Sequence, residues 1–159
     1  MAFLSGKPAV LFVCLGNICR SPLAEAAFRA EAMRLCLDVD VDSAGTGGWH
    51  AGESPDPRAR AVAKRHGIDI SGFRARKVTQ RDFRRFTHIV ALDRQNLAAL
   101  NAMQPADATA VLSLLLDHTD RRKGSDVADP YYGDDTDFET TWTDVTEGAR
   151  SLAQRIANV

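Results

Sequence analysis

The 159-residue sequence predicts an α/β fold, a three-layer α/β/α sandwich on a four-stranded parallel sheet. Three observations lead there. Ala9-Val10-Leu11-Phe12-Val13 is an unbroken apolar run of β-formers, as expected of a parallel strand covered on both faces. Further strand-length apolar segments alternate with segments of helical period. The connections between them are short, with no internal repeat, low-complexity tract or linker, so residues 1–159 are expected to form one domain.

The first strand runs into a loop, Cys14 to Arg20, and Ser21-Pro22 reads as a helix start. Serine is a good N-cap, and proline is tolerated in the first turn because its missing N–H would have no partner there. This helix is expected to reach about Cys36, with Leu23, Ala27 and Ala30 along one side. Leu37 to Ser43 alternates as a second strand and completes a βαβ unit. Ala44 to Ser54 is a loop broken by Gly45, Gly47, Gly48 and Gly52. Asp56-Pro57 opens a second helix with Ala59, Val62, Ala63 and His66 on its buried side and Gly67 as its stop. A short helix is expected around Thr79–Arg85 and a third strand at His88–Leu92. Asp93 caps a helix to about Asn101, and a fourth strand lies within Thr109–Leu116. Thr136 and Glu139 have capping-box spacing at the start of the last helix. There Phe138, Trp142, Val145, Ala149, Leu152 and Ile156 form one apolar stripe, which reads as core.

Composition narrows the function. Lys and Arg number 20 against 21 Asp and Glu, a net charge of −1, so no overall pull toward nucleic acid or an anionic membrane is expected. An anionic ligand must be met by a local site. Three cysteines, an odd number at low density, argue against a disulfide scaffold and for a reducing compartment. They include no Cys-x-x-Cys pair and have no histidine at ligand spacing, so no metal is expected. Met1 to Val13 carries Lys7 inside its apolar run, unlike a leader with its charge first. No stretch approaches the ~18 consecutive apolar residues of a membrane helix. A cytoplasmic location is expected.

In parallel sheets the working site lies beyond the carboxyl ends of the strands, which draws attention to the first loop. It reads Cys14-Leu15-Gly16-Asn17-Ile18-Cys19-Arg20-Ser21, between a buried strand and a helix start. Several backbone N–H groups can converge there as an anion-binding nest at a helix N-terminus. Gly16 permits a backbone angle that a Cβ resists, and asparagine, here Asn17, tolerates left-handed geometry next best. Cys14 faces the positive end of the helix, where a thiolate nucleophile is favoured. Arg20 offers a planar fork for two phosphate oxygens, and Ser21 a hydroxyl for the sulfur. The loop therefore reads as a phosphate-binding loop after the first strand. Cleaving a phosphate ester also requires a proton for the departing oxygen. Asp129, in Asp129-Pro130-Tyr131-Tyr132-Gly133, is a candidate donor, with Asp126, Asp134 and Asp135 as rivals.

Val13 to Pro22, Ser43-Ala44-Gly45-Thr46, Pro55-Asp56-Pro57-Arg58, Asp93 and Asp129 to Gly133 together resemble the low-molecular-weight protein tyrosine phosphatases over essentially the whole chain. The resemblance implies that Cys14 attacks phosphorus while Asp129 protonates the leaving phenol, and that Asp129 then activates water to hydrolyse the phosphocysteine. It implies that Arg20 and the loop amides hold the phosphoryl oxygens, with Asn17, Ser21 and Ser43 supporting the loop. Trp49, His50, Tyr131 and Tyr132 would wall a deep slot over Cys14. Such a slot favours phosphotyrosine in a protein substrate, with inorganic phosphate as product and no cofactor. Ile18 stands where related phosphoarginine phosphatases carry threonine. Arsenate reductases of this fold use relay cysteines, of which only Cys36 remains here. A phosphate-binding module without turnover would need neither Cys14 nor Asp129. The resemblance also implies that Cys19 guards Cys14 through a reversible disulfide. Ser71-Gly72-Phe73-Arg74 departs from it, lacking the histidine that family members often carry there.

Overall fold

The structure is a computed structural model that describes residues 6–159. Residues 1–5, where the segment read for a leader begins, lie outside the described residues.

The apolar run forms strand β1, Ala9–Cys14, with every residue buried. Its side chains alternate between two cores, which explains why the run is continuous rather than amphipathic. Val10, Phe12 and Cys14 face one core with Leu23, Phe28, Val62, Phe138 and Trp142. Ala9, Leu11 and Val13 face the other with Phe83, Ile89 and Leu100. Helices α1 (Arg20–Arg34), α2 (Pro57–Arg65) and α5 (Asp135–Ala157) cover the first face. Helices α3 (Asp82–Arg85) and α4 (Arg94–Met103) cover the second. Strands β2 (Asp40–Gly45), β3 (His88–Ala91) and β4 (Val111–Leu114) complete a parallel sheet in the order β2-β1-β3-β4. The α/β/α sandwich on four parallel strands is the architecture expected. The chain steps from β1 to β2 on one side and returns to β3 on the other, so the gap between the loops after β1 and β3 is a topological switch point. No helix among the described residues is long and apolar enough to cross a membrane.

Five local expectations are corrected. Helix α1 begins at Arg20 with Cys19 as its cap residue and no side-chain cap, because the Ser21 hydroxyl is engaged elsewhere. The same helix stops at Arg34, because Cys36 turns left-handed at φ 54°. Strand β2 starts three residues later than expected and runs on into Gly45, which bridges to Lys77. The capping box of α5 is Asp134 with Asp137 rather than Thr136 with Glu139. His66 is exposed, stacked on Trp142 and bonded to Glu139, so it covers the core from outside.

Candidate active site

The loop from Cys14 to Arg20 curls so that its carbonyls turn outward and its amides inward. The carbonyls of Cys14, Leu15 and Ile18 accept from the amides of Thr46, Gly47 and Asp56 at 2.8–2.9 Å. Among the described residues, the amides of Leu15, Gly16, Ile18 and Cys19 have no protein partner, and that of Asn17 donates to Cys14 Sγ at 3.3 Å. This is a nest for an anion, at the start of a fifteen-residue helix whose dipole adds to it. Asn17 takes the left-handed angle, φ 59°. Gly16 does not, contrary to expectation. It is needed for close approach instead, since a Cβ there would meet the His50 ring at 3.1 Å.

Cys14 Sγ lies 3.0 Å from Ser21 Oγ. A chain of hydrogen bonds behind the loop sets the direction of that contact. Glu25, buried on α1, accepts from Ser43 Oγ at 2.8 Å. Ser43 Oγ, its proton committed, accepts from Asn17 Nδ2 at 3.0 Å. Asn17 Nδ2 also donates to Ser21 Oγ at 2.8 Å, so the Ser21 proton goes either to sulfur at 3.0 Å or to the longer contact with Ala44 O at 3.4 Å, and the sulfur is the nearer. Arg76 N donates to Asn17 Oδ1 at 3.0 Å, fixing the amide's orientation. Burial pushes the Glu25 carboxyl above its ordinary pKa, against the hydrogen bonds from Ser43 and Arg29. The side chains of Asn17, Ser21 and Ser43 are buried behind the loop and face away from the cleft. Burial also pushes the Cys19 thiol well above its ordinary value, with Asp56, Cys14 and Asp129 adding to it.

Arg20 is buried, with Nη1 donating to Asp93 Oδ2 at 2.6 Å and to Val127 O at 3.0 Å. Burial opposes its charge, but Cys14, Asp93 and Asp129 hold the guanidinium above its ordinary pKa. Its Nη2 lies 3.7 Å from Asp129 Oδ2. Cys14, Leu15, Gly16, Ile18, Cys19 and Arg20 meet Trp49, His50, Asp129, Tyr131 and Tyr132 around one cleft of about 270 Å³. Of the four rival acids only Asp129 lines it. Asp126 pairs with Arg94, and Asp134 and Asp135 belong to the start of α5. The Trp49 ring rests on Gly47, where any Cβ would overlap it. Tyr131 and Tyr132 meet edge to face with centroids 5.0 Å apart. No three His, Cys, Asp or Glu side chains among the described residues are grouped to hold a metal ion.

Sequence reasoning missed three residues here. It read Asp93 only as a cap and a landmark, not as the partner of Arg20. A carboxylate just past the third strand faces the loop after the first in this topology, so that signal was available. Glu25 lies one helical turn after Ser21, among the alanines, Leu23 and Phe28 of the buried side of α1, which marks it as an acid seeking partners. Arg58 carried no comparable signal.

The family described as low molecular weight phosphotyrosine protein phosphatase matches residues 9–159. A Schizosaccharomyces pombe protein of that name is 40% identical over 151 residues, covering 93% of this chain and 96% of its own. The crystal structure of YfkJ from Bacillus subtilis superposes with a TM-score of 0.89 at 38% identity, covering 97% of each chain. That of a Drosophila arginine phosphatase superposes at 0.86 with 32% identity, over 92% of this chain and 96% of its own. With a cysteine-bearing loop, a buried arginine and a carboxylate around one cleft, and this match over nearly its whole length, the chain belongs to the low-molecular-weight phosphotyrosine protein phosphatase family.

Proposed function

We propose that this protein is a protein tyrosine phosphatase, with residues 1–159 working as one catalytic domain. The phosphoryl group sits on the loop amides and the Arg20 guanidinium, which neutralise its charge as phosphorus is transferred. Cys14 Sγ attacks phosphorus and the phenol oxygen leaves with a proton from Asp129, giving a phosphocysteine. Asp129 then takes a proton from water as it attacks, releasing inorganic phosphate and the Cys14 thiolate, which the Ser21 hydroxyl stabilises. Trp49, His50, Tyr131, Tyr132 and Ile18 receive the aromatic ring of a phosphotyrosine in a protein substrate. Cys19 guards the nucleophile: when hydrogen peroxide oxidises the Cys14 thiolate to a sulfenic acid and is itself reduced to water, the Cys19 thiol condenses with that sulfenic acid, releasing a second water and leaving a thiol-reducible disulfide.

The observation that carries the reading is the cleft itself, in which a sulfur, a guanidinium and a carboxylate converge beneath aromatic walls. Ile18 in the lining favours phosphotyrosine over phosphoarginine, because it offers the substrate apolar surface and no hydroxyl. The test is hydrolysis of phosphotyrosine, phosphoarginine and phosphoserine peptides by the parent, Cys14→Ser and Asp129→Ala. The expected result is turnover of phosphotyrosine above all, none in Cys14→Ser, and a loss of about 100-fold or more in Asp129→Ala. Full activity in Cys14→Ser, or a preference for phosphoarginine, overturns it.

A further inference from the structure

The carboxyl of Asp129 is useful as an acid only if it is held at a fixed distance from the sulfur, yet it sits half-exposed on a loop between elements. Inside the loop, Asp129 Oδ1 accepts from Tyr131 N at 3.1 Å and Gly133 N donates to Pro130 O at 2.8 Å. These bonds shape the loop but do not attach it to anything. Arg20 Nη2 lies 3.7 Å from the carboxyl itself, and the backbone of the turn is attached from α2. Arg58 donates from Nη1 to Gly133 O at 3.1 Å and from Nη2 to Tyr131 O at 2.9 Å. Among the described residues no other side chain from outside the loop donates to the carbonyls of residues 129–133.

The other edge of the same guanidinium faces Asp56. Arg58 Nε and Nη2 donate to its two carboxylate oxygens at 3.1 and 3.0 Å. Asp56 also caps α2 through Arg58 N at 2.8 Å, and its own amide donates to Ile18 O at 2.8 Å. Ile18 is in the middle of the phosphate loop. A continuous path therefore runs from that loop through Asp56 and Arg58 to both ends of the turn that follows Asp129. The guanidinium carbon lies 4.7 Å from the Phe138 ring centroid and 5.7 Å from that of Tyr131, so the fork is also held from its faces. Four of its five N–H positions are used, in two opposed directions, which a planar guanidinium can do and an ammonium cannot.

We infer that Arg58 is a positioning residue, a strap that sets the Asp129 carboxyl against the leaving-group oxygen by fastening the acid's loop to the phosphate loop. The inference rests on the phosphatase reading above. It differs from a general structural role in one respect: the strap matters only where a proton must be delivered. A poor leaving group, such as the phenol of phenyl phosphate, needs that proton, and an acidic one, such as 2,4-dinitrophenol, does not.

The experiment measures kcat/KM for these two esters with the parent, Arg58→Met, Asp129→Ala and the double variant. Methionine keeps an apolar stem over Phe138 and removes every donor. Arg58→Met is expected to lose about tenfold on phenyl phosphate and less than about twofold on the dinitrophenyl ester. In the Asp129→Ala background it is expected to add less than about twofold on either ester, because there is no acid left to position. Equal losses on both esters, or a full additional loss without Asp129, overturn the strap and leave Arg58 a fold-supporting residue only. If the parent hydrolyses neither ester, the phosphatase reading fails instead. Thermal unfolding verifies that Arg58→Met folds. If it does not, Arg58→Lys serves the same comparison, since its single ammonium cannot reach both carbonyls and Asp56 together.

Discussion

Arg20 and Asp93 meet at 2.6 Å across the gap between the loops that leave β1 and β3. The arginine side chain is 4% exposed and the aspartate 16%, so the pair is largely dry. Asp93 has a second task, accepting from Asn96 N at 2.7 Å as the cap of α4. One carboxylate thus starts a helix and aims the guanidinium at the phosphate loop. Removing it leaves a buried guanidinium with only the more distant, half-exposed Asp129 as a counter-charge, and a helix uncapped. Asp93→Ala is expected to lose about 3 kcal/mol of stability in urea unfolding. Asp93→Asn, which can still cap, is expected to lose less stability but weaken inhibition by inorganic phosphate. Parent-like stability in Asp93→Ala would show that solvent replaces the pair.

The chain from Glu25 through Ser43 and Asn17 to Ser21 predicts graded losses. Ser43→Ala removes one acceptor of Asn17 Nδ2 and the donor to Glu25. A cost of about 1–2 kcal/mol is expected. Asn17→Ala should cost more, because alanine must also adopt φ 59°. Asn17→Gly should recover the backbone part of that loss but not the hydrogen-bonded part. Equal stability of Asn17→Ala and Asn17→Gly would remove backbone strain from the account.

Trp49 is 71% exposed and its ring rests on Gly47. Gly47→Ala must push the ring off the loop and move that wall of the cleft. The expected signs are a changed Trp49 fluorescence and a KM for phenyl phosphate raised about threefold, with kcat nearly unchanged. A changed kcat with an unchanged KM would mean that the ring acts on the chemical step instead.

His118 predicts a loss of stability in acid. Its Nε2 meets Ser113 Oγ at 2.9 Å, while its Nδ1 is buried without a partner. Burial, with Arg155 and His88 nearby, pushes its pKa from 6.5 down to about 4. Above pH 6.5 the imidazole is neutral whether the chain is folded or not, so it contributes nothing to the pH dependence. As pH falls from 6.5 toward 4, the unfolded chain takes up a proton that the folded chain refuses. Stability should fall over this window, by at most about 1.4 kcal/mol per pH unit and by less where solvent reaches the partly exposed ring. His118→Gln should flatten the dependence, measured as urea midpoints at pH 7 and pH 4.5. An unchanged slope would assign the acid sensitivity to other groups.

Much of the fold was legible because its signals are local. A continuous apolar run this short and this rich in β-formers reads as a strand buried on both sides, and β1 is buried throughout. The loop from Cys14 to Arg20 is likewise one uninterrupted word, so its cysteine, arginine and left-handed asparagine were readable together. Local signals misled where two of them competed. Thr136/Glu139 and Asp134/Asp137 have the same spacing, and the turn at Gly133 decided between them by delivering the backbone to Asp134. His66 shares the helical phase of buried neighbours, but Glu139 on α5 draws it outward.

By itself the sequence determined the sheet, the order of its elements, and the loop that gathers amides around one point, because neighbouring residues encode all of these. Tertiary structure decided which distant groups complete the site. It brought Asp129 rather than its rivals to the cleft, set Asp93 on Arg20 across 73 positions, and joined Arg58 to the acid loop across 73 and 75. The reason is physical. A contact between residues so far apart has no local periodicity to announce it, and it exists only once the crossover connections have folded the loop ends onto the same edge of the sheet.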